Sequence, residues 1–340
     1  MTSLQAPGTR RRIALPPVRG PWTEALYHLL AAQGARSALD SVSNVGDVLY
    51  DNDLQMALYL CYELHYSEID GVDERMEWSP RILMFRAALE EQFEGAVRAV
   101  VPSPEAAPTS VGDELQRLAR EDQGPPLSRR VETQATDEQV REHVIHRSAY
   151  QLKEADPHSW AIPRLTGAPK SALVEIQADE YGGGRPARMH AELFAKTMRG
   201  LGLDPTYGAY LDLLPGITLA TVNLMSMFGL HRRLRGALAG HLAVFEMTSS
   251  VPNRRYGNAL RRLGHGPEVT DFYDEHVEAD AVHESIAAWD LGDGLARNEP
   301  ELAADVIFGA QALLALESRW AQHLLDAWGS DDTSLMRPLL

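Results

Sequence analysis

Thiols are almost absent from this chain, whose 340 residues include a single cysteine, Cys61. That excludes a disulfide framework, a CxxC redox pair and a cysteine-held iron–sulfur cluster within one chain. Cys61 follows the apolar run MALYL and reads as a small core residue. Long hydrophobic runs are missing too. The most apolar stretch, Ile217 to Leu230, is too short to span a bilayer and is followed at once by His231, Arg232 and Arg233. The N-terminus, MTSLQAPGTRRRIALPP, lacks the continuous apolar segment of a signal peptide. Positive charge is in deficit: 32 Lys and Arg against 48 Asp and Glu give a formal charge of −16. A phosphate backbone needs a positive surface, so no nucleic-acid partner is expected, and the short basic runs at 10–12 and 232–235 read as solvated surface. A soluble cytoplasmic protein without a membrane partner is the expectation.

Some motifs are absent as well. No Glu-x-x-His occurs, which removes the ligand pattern of ferritin-like oxidases and iron stores. His-Glu-x-x-His and Gly-x-Ser-x-Gly are also missing, and with them the zinc hydrolases and esterases built on those motifs.

What is present is helical periodicity. Residues 22–33, 54–65, 80–101, 189–201, 216–249 and 301–328 carry apolar side chains at three- and four-residue spacing. Alternating strand patterns joined by hairpin turns are essentially missing. The fold class is therefore all-α. The stretch 102–134 opens on PSPEAAP and contains GPP, a composition that predicts a linker. It separates a helical N-terminal region, 20–101, from a helical core of about seven helices, 135–330. Residues 1–19 and 331–340 are expected to be an extended or disordered N-terminus and a C-terminal tail. Asp204-Pro205 and the run from Gly264 to Pro267 mark breaks between core helices.

The chemistry concentrates in the stretch DEHVEADAVHES. His276, Asp280 and His283 fall at i, i+4 and i+7, within roughly 60° of one another around a helix. Two neutral nitrogens and one hard oxygen suit iron or manganese better than calcium or structural zinc. A solvated face is the other reading, since Glu275, Glu278 and Glu284 stand beside them. Glu246 interrupts an apolar face made by Leu242, Val244, Phe245 and Met247. Burying that carboxylate alone costs several kcal/mol, so it calls for a metal or a cation, and one of the preceding arginines is the alternative partner. Glu180 and His190 flank YGGGRPARM. Successive glycines are unfavourable inside a helix, so a break at Gly182–Gly184 either re-aims one ligand toward the other or simply joins two helices. Glu154, in QLKEADPHSW, completes the candidates.

Other polar residues read as structural. Glu63 and His65, in CYELHYSE, point about 160° apart on a helix. His143 and His146 lie in a charged segment and are expected at the surface. His158 reads as a loop or capping residue, and His241 faces away from Glu246.

Glu154, Glu180, the YGGG break with His190, Glu246 and then His276-x3-Asp280-x2-His283 together resemble the heme-oxygenase-like diiron oxidases and oxygenases. The N-oxygenating branch, of the type that forms the nitrosourea of streptozotocin, is the most similar. The resemblance covers about residues 140–330. It implies a heme-oxygenase-like bundle with an N-terminal helical extension that serves dimerisation, and hence a homodimer. It implies two Fe(II) ions held by Glu154, Glu180, His190, Glu246, His276, Asp280 and His283, with O2 as co-substrate and an external electron donor. In the partition it implies, Glu154, Glu180 and His190 serve one iron, His276, Asp280 and His283 the other, and Glu246 bridges. The implied reaction is oxygenation of a small amine or amino acid in natural-product biosynthesis, with Glu154 and Glu246 as the catalytic carboxylates. Desaturation or C–C cleavage of an amino acid or fatty acid is the alternative on the same scaffold, and a non-enzymatic metal- or heme-binding helical protein the alternative of another class. A long-chain acid would want a basic anchor, and no arginine lies inside the apolar faces that carry the ligands.

Overall fold

The computed structural model describes residues 11–31, 46–102 and 110–339, except for the side chains of residues 279–282. Its helices in chain order are α1 (Pro21–Leu30), α2 (Asn52–Glu63), α3 (Pro80–Val100), α4 (Val111–Glu121), α5 (Leu127–Gln134), α6 (Asp137–Gln151) and α7 (Asp156–Ser159). They continue with α8 (Gly167–Glu180), α9 (His190–Gly200), α10 (Gly216–Leu230), α11 (Arg235–Arg262), α12 (Pro267–Ser285), α13 (Gly294–Asn298) and α14 (Ala303–Gly329). A π-helical segment, Ile286–Asp293, links α12 to α13. Among the described residues the only strands are the two-residue β1 (Arg12–Ile13) and β2 (Glu68–Ile69), paired in parallel. The protein is all-α.

Local chemistry explains the helix starts. Asp51 caps α2 by accepting from Asp53 N and Leu54 N, and Thr136 with Gln139 forms a capping box on α6. The apolar stretch 217–230 becomes α10, buried from Gly216 to Gly229. It is therefore a core helix, and no described helix is long and apolar enough to cross a membrane.

Around α10 the long helices cross closely. α11 packs most extensively against α14 and α12. Glycines permit the α11–α14 contact: a Cβ on Gly240 would stand 1.8 Å from Val306 O, and one on Gly309 1.9 Å from Ala237 O. Backbones this close leave no room for a side chain.

Two parts of the expected organisation differ in the structure. Residues 110–134, read as linker, form α4 and α5, which pack on α11 and bury Val111, Leu115, Leu127 and Val131. The N-terminal region joins the same core: α2 lies against α10, and Asn223 Nδ2 donates to Gln55 O and Oε1 at 2.9 and 2.8 Å. Ile13 is buried, so the described part of the N-terminal segment is docked rather than loose. At the other end, Ser334 and Leu335 are buried as well.

Candidate metal centre

Apart from Glu154, the described candidate ligands stand on core helices. α8 ends on Glu180 and α9 begins on His190. Between them Gly182, Gly183 and Gly184 have φ of 70°, 57° and 77°, left-handed values that L side chains rarely adopt. The chain turns there instead of continuing, which brings His190 Nδ1 to 2.9 Å from Glu180 Oε2. Glu154 lies in the turn between α6 and α7, and Glu246 in the middle of α11.

His276 and His283 are two helical turns apart on α12, roughly 10 Å along its axis, so they face different partners. His276 Nε2 is 3.5 Å from Glu154 Oε1, and its ring centroid is 4.3 Å from that of His190. His283 Nδ1 is 3.3 Å from Glu246 Oε2. Two buried groups of ligand atoms result, each within 4.8 Å: Glu154, Glu180, His190 and His276 in one, Glu180, Glu246 and His283 in the other. Asp280 lies on the same helix, but its side chain is outside the described residues.

The grouping differs from the partition implied by the resemblance. His276 joins Glu154 and His190 rather than His283, and Glu180, not Glu246, is common to both groups. The two-turn separation on α12 carries His276 and His283 to different groups, and Glu180 belongs to both.

Among the described residues no arginine or lysine pairs with Glu246, whose ion pair is with His283. The arginines ahead of it are engaged elsewhere, Arg233 with Glu94 and Arg235 with Glu299. Burial raises the Glu154 and Glu246 carboxyls above their ordinary range, and the charge of Glu180 adds to that. Burial would raise Glu180 as well, but His190, His276 and His283 hold it down at about 2. Burial would lower His283, yet Glu246 and Asp179 lift it to about 9.

The donor set fits iron. Three imidazoles and three carboxylates suit a redox-active divalent metal. Glu154 Oε2, Glu180 Oε2, His190 Nδ1 and His283 Nδ1 are buried, and the ion-pair contacts of Glu180, His190 and His283 at these atoms are with one another and with Glu246. The opposite ring nitrogens are fixed: His276 Nδ1 bonds Phe272 O at 2.7 Å, and His283 Nε2 bonds Asp179 Oδ2 at 3.0 Å. Such outer contacts set the tautomer and orientation of a metal-binding histidine. Asp179 is not singled out by the sequence, since adjacent helical residues point about 100° apart and a neighbour of Glu180 has no reason to face the same ligands.

A cavity of about 680 Å³ opens beside the carboxylates. Tyr150, Leu242, Phe245 and Trp320 line it along with Glu154, Glu180, Glu246 and His276. It also receives Arg147 and Arg255, so arginines reach the space beside the ligands. Arg147 is held by Glu317 at 2.6 and 2.9 Å and lies 3.8 Å over the Trp320 ring, while Arg255 bonds Ser128 Oγ at 3.0 Å.

The residues set aside as structural are placed elsewhere. Glu63 forms a fully buried ion pair with Lys153 and accepts from Tyr207 Oη at 2.8 Å. His65 lies between Glu77 and Arg86. His143 and His146 are buried, not exposed: His146 bonds Thr218 and Ser334, and His143 packs on Tyr256. His158 is buried in α7, its Nε2 3.2 Å from His241 Nδ1.

A family model described as iron-containing redox enzyme matches residues 141–318, a span that holds all seven candidate ligands. The chain is also 26% identical over 136 residues to the nitrosourea synthase of Streptomyces achromogenes subsp. streptozoticus. That alignment covers 40% of this chain and 29% of the relative, so the match spans under a third of the relative's length.

Proposed function

The chain belongs to the iron-containing redox enzymes, and from that premise we propose that it is a non-heme diiron oxygenase that uses O2 to oxygenate a small amine or amino acid at nitrogen. Membership makes it an oxidoreductase; the two irons, the oxygenation and the substrate class are our reading. The observation that carries it is the pair of buried ligand groups that share Glu180. Glu154, Glu180, His190 and His276 would hold one iron, and Glu180, Glu246 and His283 the other, with Asp280 on the helix between those histidines. Bound there, a ferrous pair supplies the electrons and open coordination positions that O2 reduction needs. An external electron donor would restore the ferrous state, and the homodimer implied by the resemblance belongs to the same proposal.

The chain's own residues orient and shield. Phe272 O and Asp179 keep the outer nitrogens of His276 and His283 engaged, so that their inner nitrogens face the centre. Tyr150, Leu242, Phe245 and Trp320 set apolar surface on the cavity side of the ligands. Glu154 supports nitrogen chemistry, because the additional carboxylate is what the N-oxygenating branch has. The named activity of the partial relative, nitrosourea synthase, points the same way.

Arg147 and Arg255 favour a carboxylate on the substrate, which suits an amino acid and keeps amino-acid desaturation or C–C cleavage as the second reading. Arg147 already faces Glu317, so a zwitterion matches that pair better than a fatty acid does. Incubating the iron-loaded protein with ¹⁸O2, a reductant and a panel of amino acids, simple amines and medium-chain fatty acids tests this. The expected product is an amine or amino acid carrying one labelled oxygen on nitrogen. Turnover of fatty acids alone would contradict the proposal, and alkenes or aldehydes from the amines would transfer it to the second reading.

A further inference from the structure

We propose that Gln177 is a positioning residue for Glu154, acting through the backbone of Ala155. The inference rests on the reading of Glu154 as a metal ligand. α6 stops at Gln151, and Glu154 lies in the turn before α7 starts at Asp156. The turn is closed by short-range bonds, Lys153 N to Tyr150 O at 2.8 Å and Asp156 N to Lys153 O at 3.2 Å. Its last residue, Ala155, has φ 74° and ψ −29°. Among the described non-glycine residues only Ala155 and Asp331 have positive φ. Alanine has neither the missing Cβ of glycine nor the side-chain hydrogen bonding of asparagine that makes this region accessible. Its surroundings must therefore impose the conformation, and imposed conformations of this kind gather at functional sites.

What imposes it is the side chain of Gln177. Its Nε2 donates to Ala155 O at 2.7 Å and to Ser159 Oγ at 2.7 Å, and the residue is buried. Ala155 O also accepts Ser159 N at 3.0 Å, so one carbonyl is gripped from two directions. Tyr181 extends the clamp, with its hydroxyl 2.9 Å from Ser159 Oγ and donating to Asp156 Oδ1 at 2.8 Å. Arg11 holds the other oxygen of Asp156 at 2.6 Å. Gln177 and Tyr181 lie on either side of Glu180 in sequence, at the end of α8. The helix that supplies Glu180 thus grips the turn that supplies Glu154. The spacing of the two carboxylates is fixed by one amide, independently of the metal. An amide is suited to this because it donates twice without adding charge beside three carboxylates.

The test uses the full chain with Co(II) as a probe, read by anaerobic titration and by the visible absorption of the bound ion. Gln177→Leu fills a similar volume but donates nothing. It is expected to weaken the ion at the Glu154 group about 10- to 100-fold and to change its absorption, while the ion at Glu246 and His283 keeps its affinity. Ala155→Val cannot adopt the positive φ and should reproduce that loss, whereas Ala155→Gly adopts it freely and should bind as the unaltered chain does. Helical content and melting temperature are followed in each. If Gln177→Leu does not fold, the contrast between Ala155→Val and Ala155→Gly decides. Normal Co(II) binding and spectra in Gln177→Leu and Ala155→Val, with loss in Glu154→Ala, would overturn the inference and leave the metal centre standing. Normal binding in Glu154→Ala would remove the ligand reading beneath it, and the inference with it.

Discussion

Around Glu180 three imidazoles and two further carboxylates converge, all of them buried, and each substitution there has a direction. Glu246→Ala and His283→Ala remove ligands of the second group and should abolish O2-dependent turnover while far-UV circular dichroism stays unchanged. In the metal-free protein Glu246→Ala should melt no earlier than the parent, because burial already strains that carboxyl and its removal relieves crowding with Glu180. Asp179→Asn probes the outer contact. It should lower iron affinity about 10- to 100-fold by freeing the His283 ring, measured by competition with a chelator. Glu63→Ala instead leaves Lys153 buried and unpaired, which costs about 3–5 kcal/mol and is read from denaturant unfolding. His65→Ala should leave iron binding intact. Glu246 was legible in sequence because a carboxylate in an apolar helix face demands a partner. Asp179 and Gln177 were not, since their contacts with His283 and with Ala155 and Ser159 join residues far apart in sequence.

Among the elements, the glycine run after Glu180 announced a break, and a break with three left-handed residues is what separates α8 from α9. The stretch 110–134 shows the limit of composition. Its prolines read as linker, but Val111, Leu115, Leu127 and Val131 are spaced to bury one face against α11, a contact visible only when α11 is in place. Gly236, Gly240 and Gly309 were hidden inside helical patterns, because glycine within a helix signals only a propensity cost. In three dimensions they set how closely α11, which carries Glu246, crosses α14. Gly240→Val places branched carbons against Val306 O and should destabilise the fold by at least about 1–3 kcal/mol, seen as a lower melting temperature. Iron affinity should fall with it, since α11 cannot shift without moving Glu246.

For the molecule as a whole, the buried histidines set the acid limit of stability. Burial pushes His143 from 6.5 down to about 3 and His158 to about 4, and lowers His146 and His241 well below 6.5. The unfolded chain takes up these protons near 6.5 while the folded chain does not, so the folded state loses ground as pH falls below that value. Above about 6.5 these groups cost nothing. His158 alone should remove on the order of 3 kcal/mol by pH 4, and replacing it by glutamine should flatten the loss in denaturant unfolding across that window. The all-α class was plain from periodicity, whereas the single core joining the N-terminal helices to the rest depends on contacts far apart in sequence, such as Gln55 with Asn223.

Anaerobic titration of the metal-free chain with Fe(II), read by equilibrium dialysis and Mössbauer spectroscopy, tests the dinuclear centre most directly. Two buried ligand groups joined through Glu180 predict saturation at two ferrous ions per chain, magnetically coupled after exposure to O2. A plateau at one iron per chain, or at one heme, would contradict it.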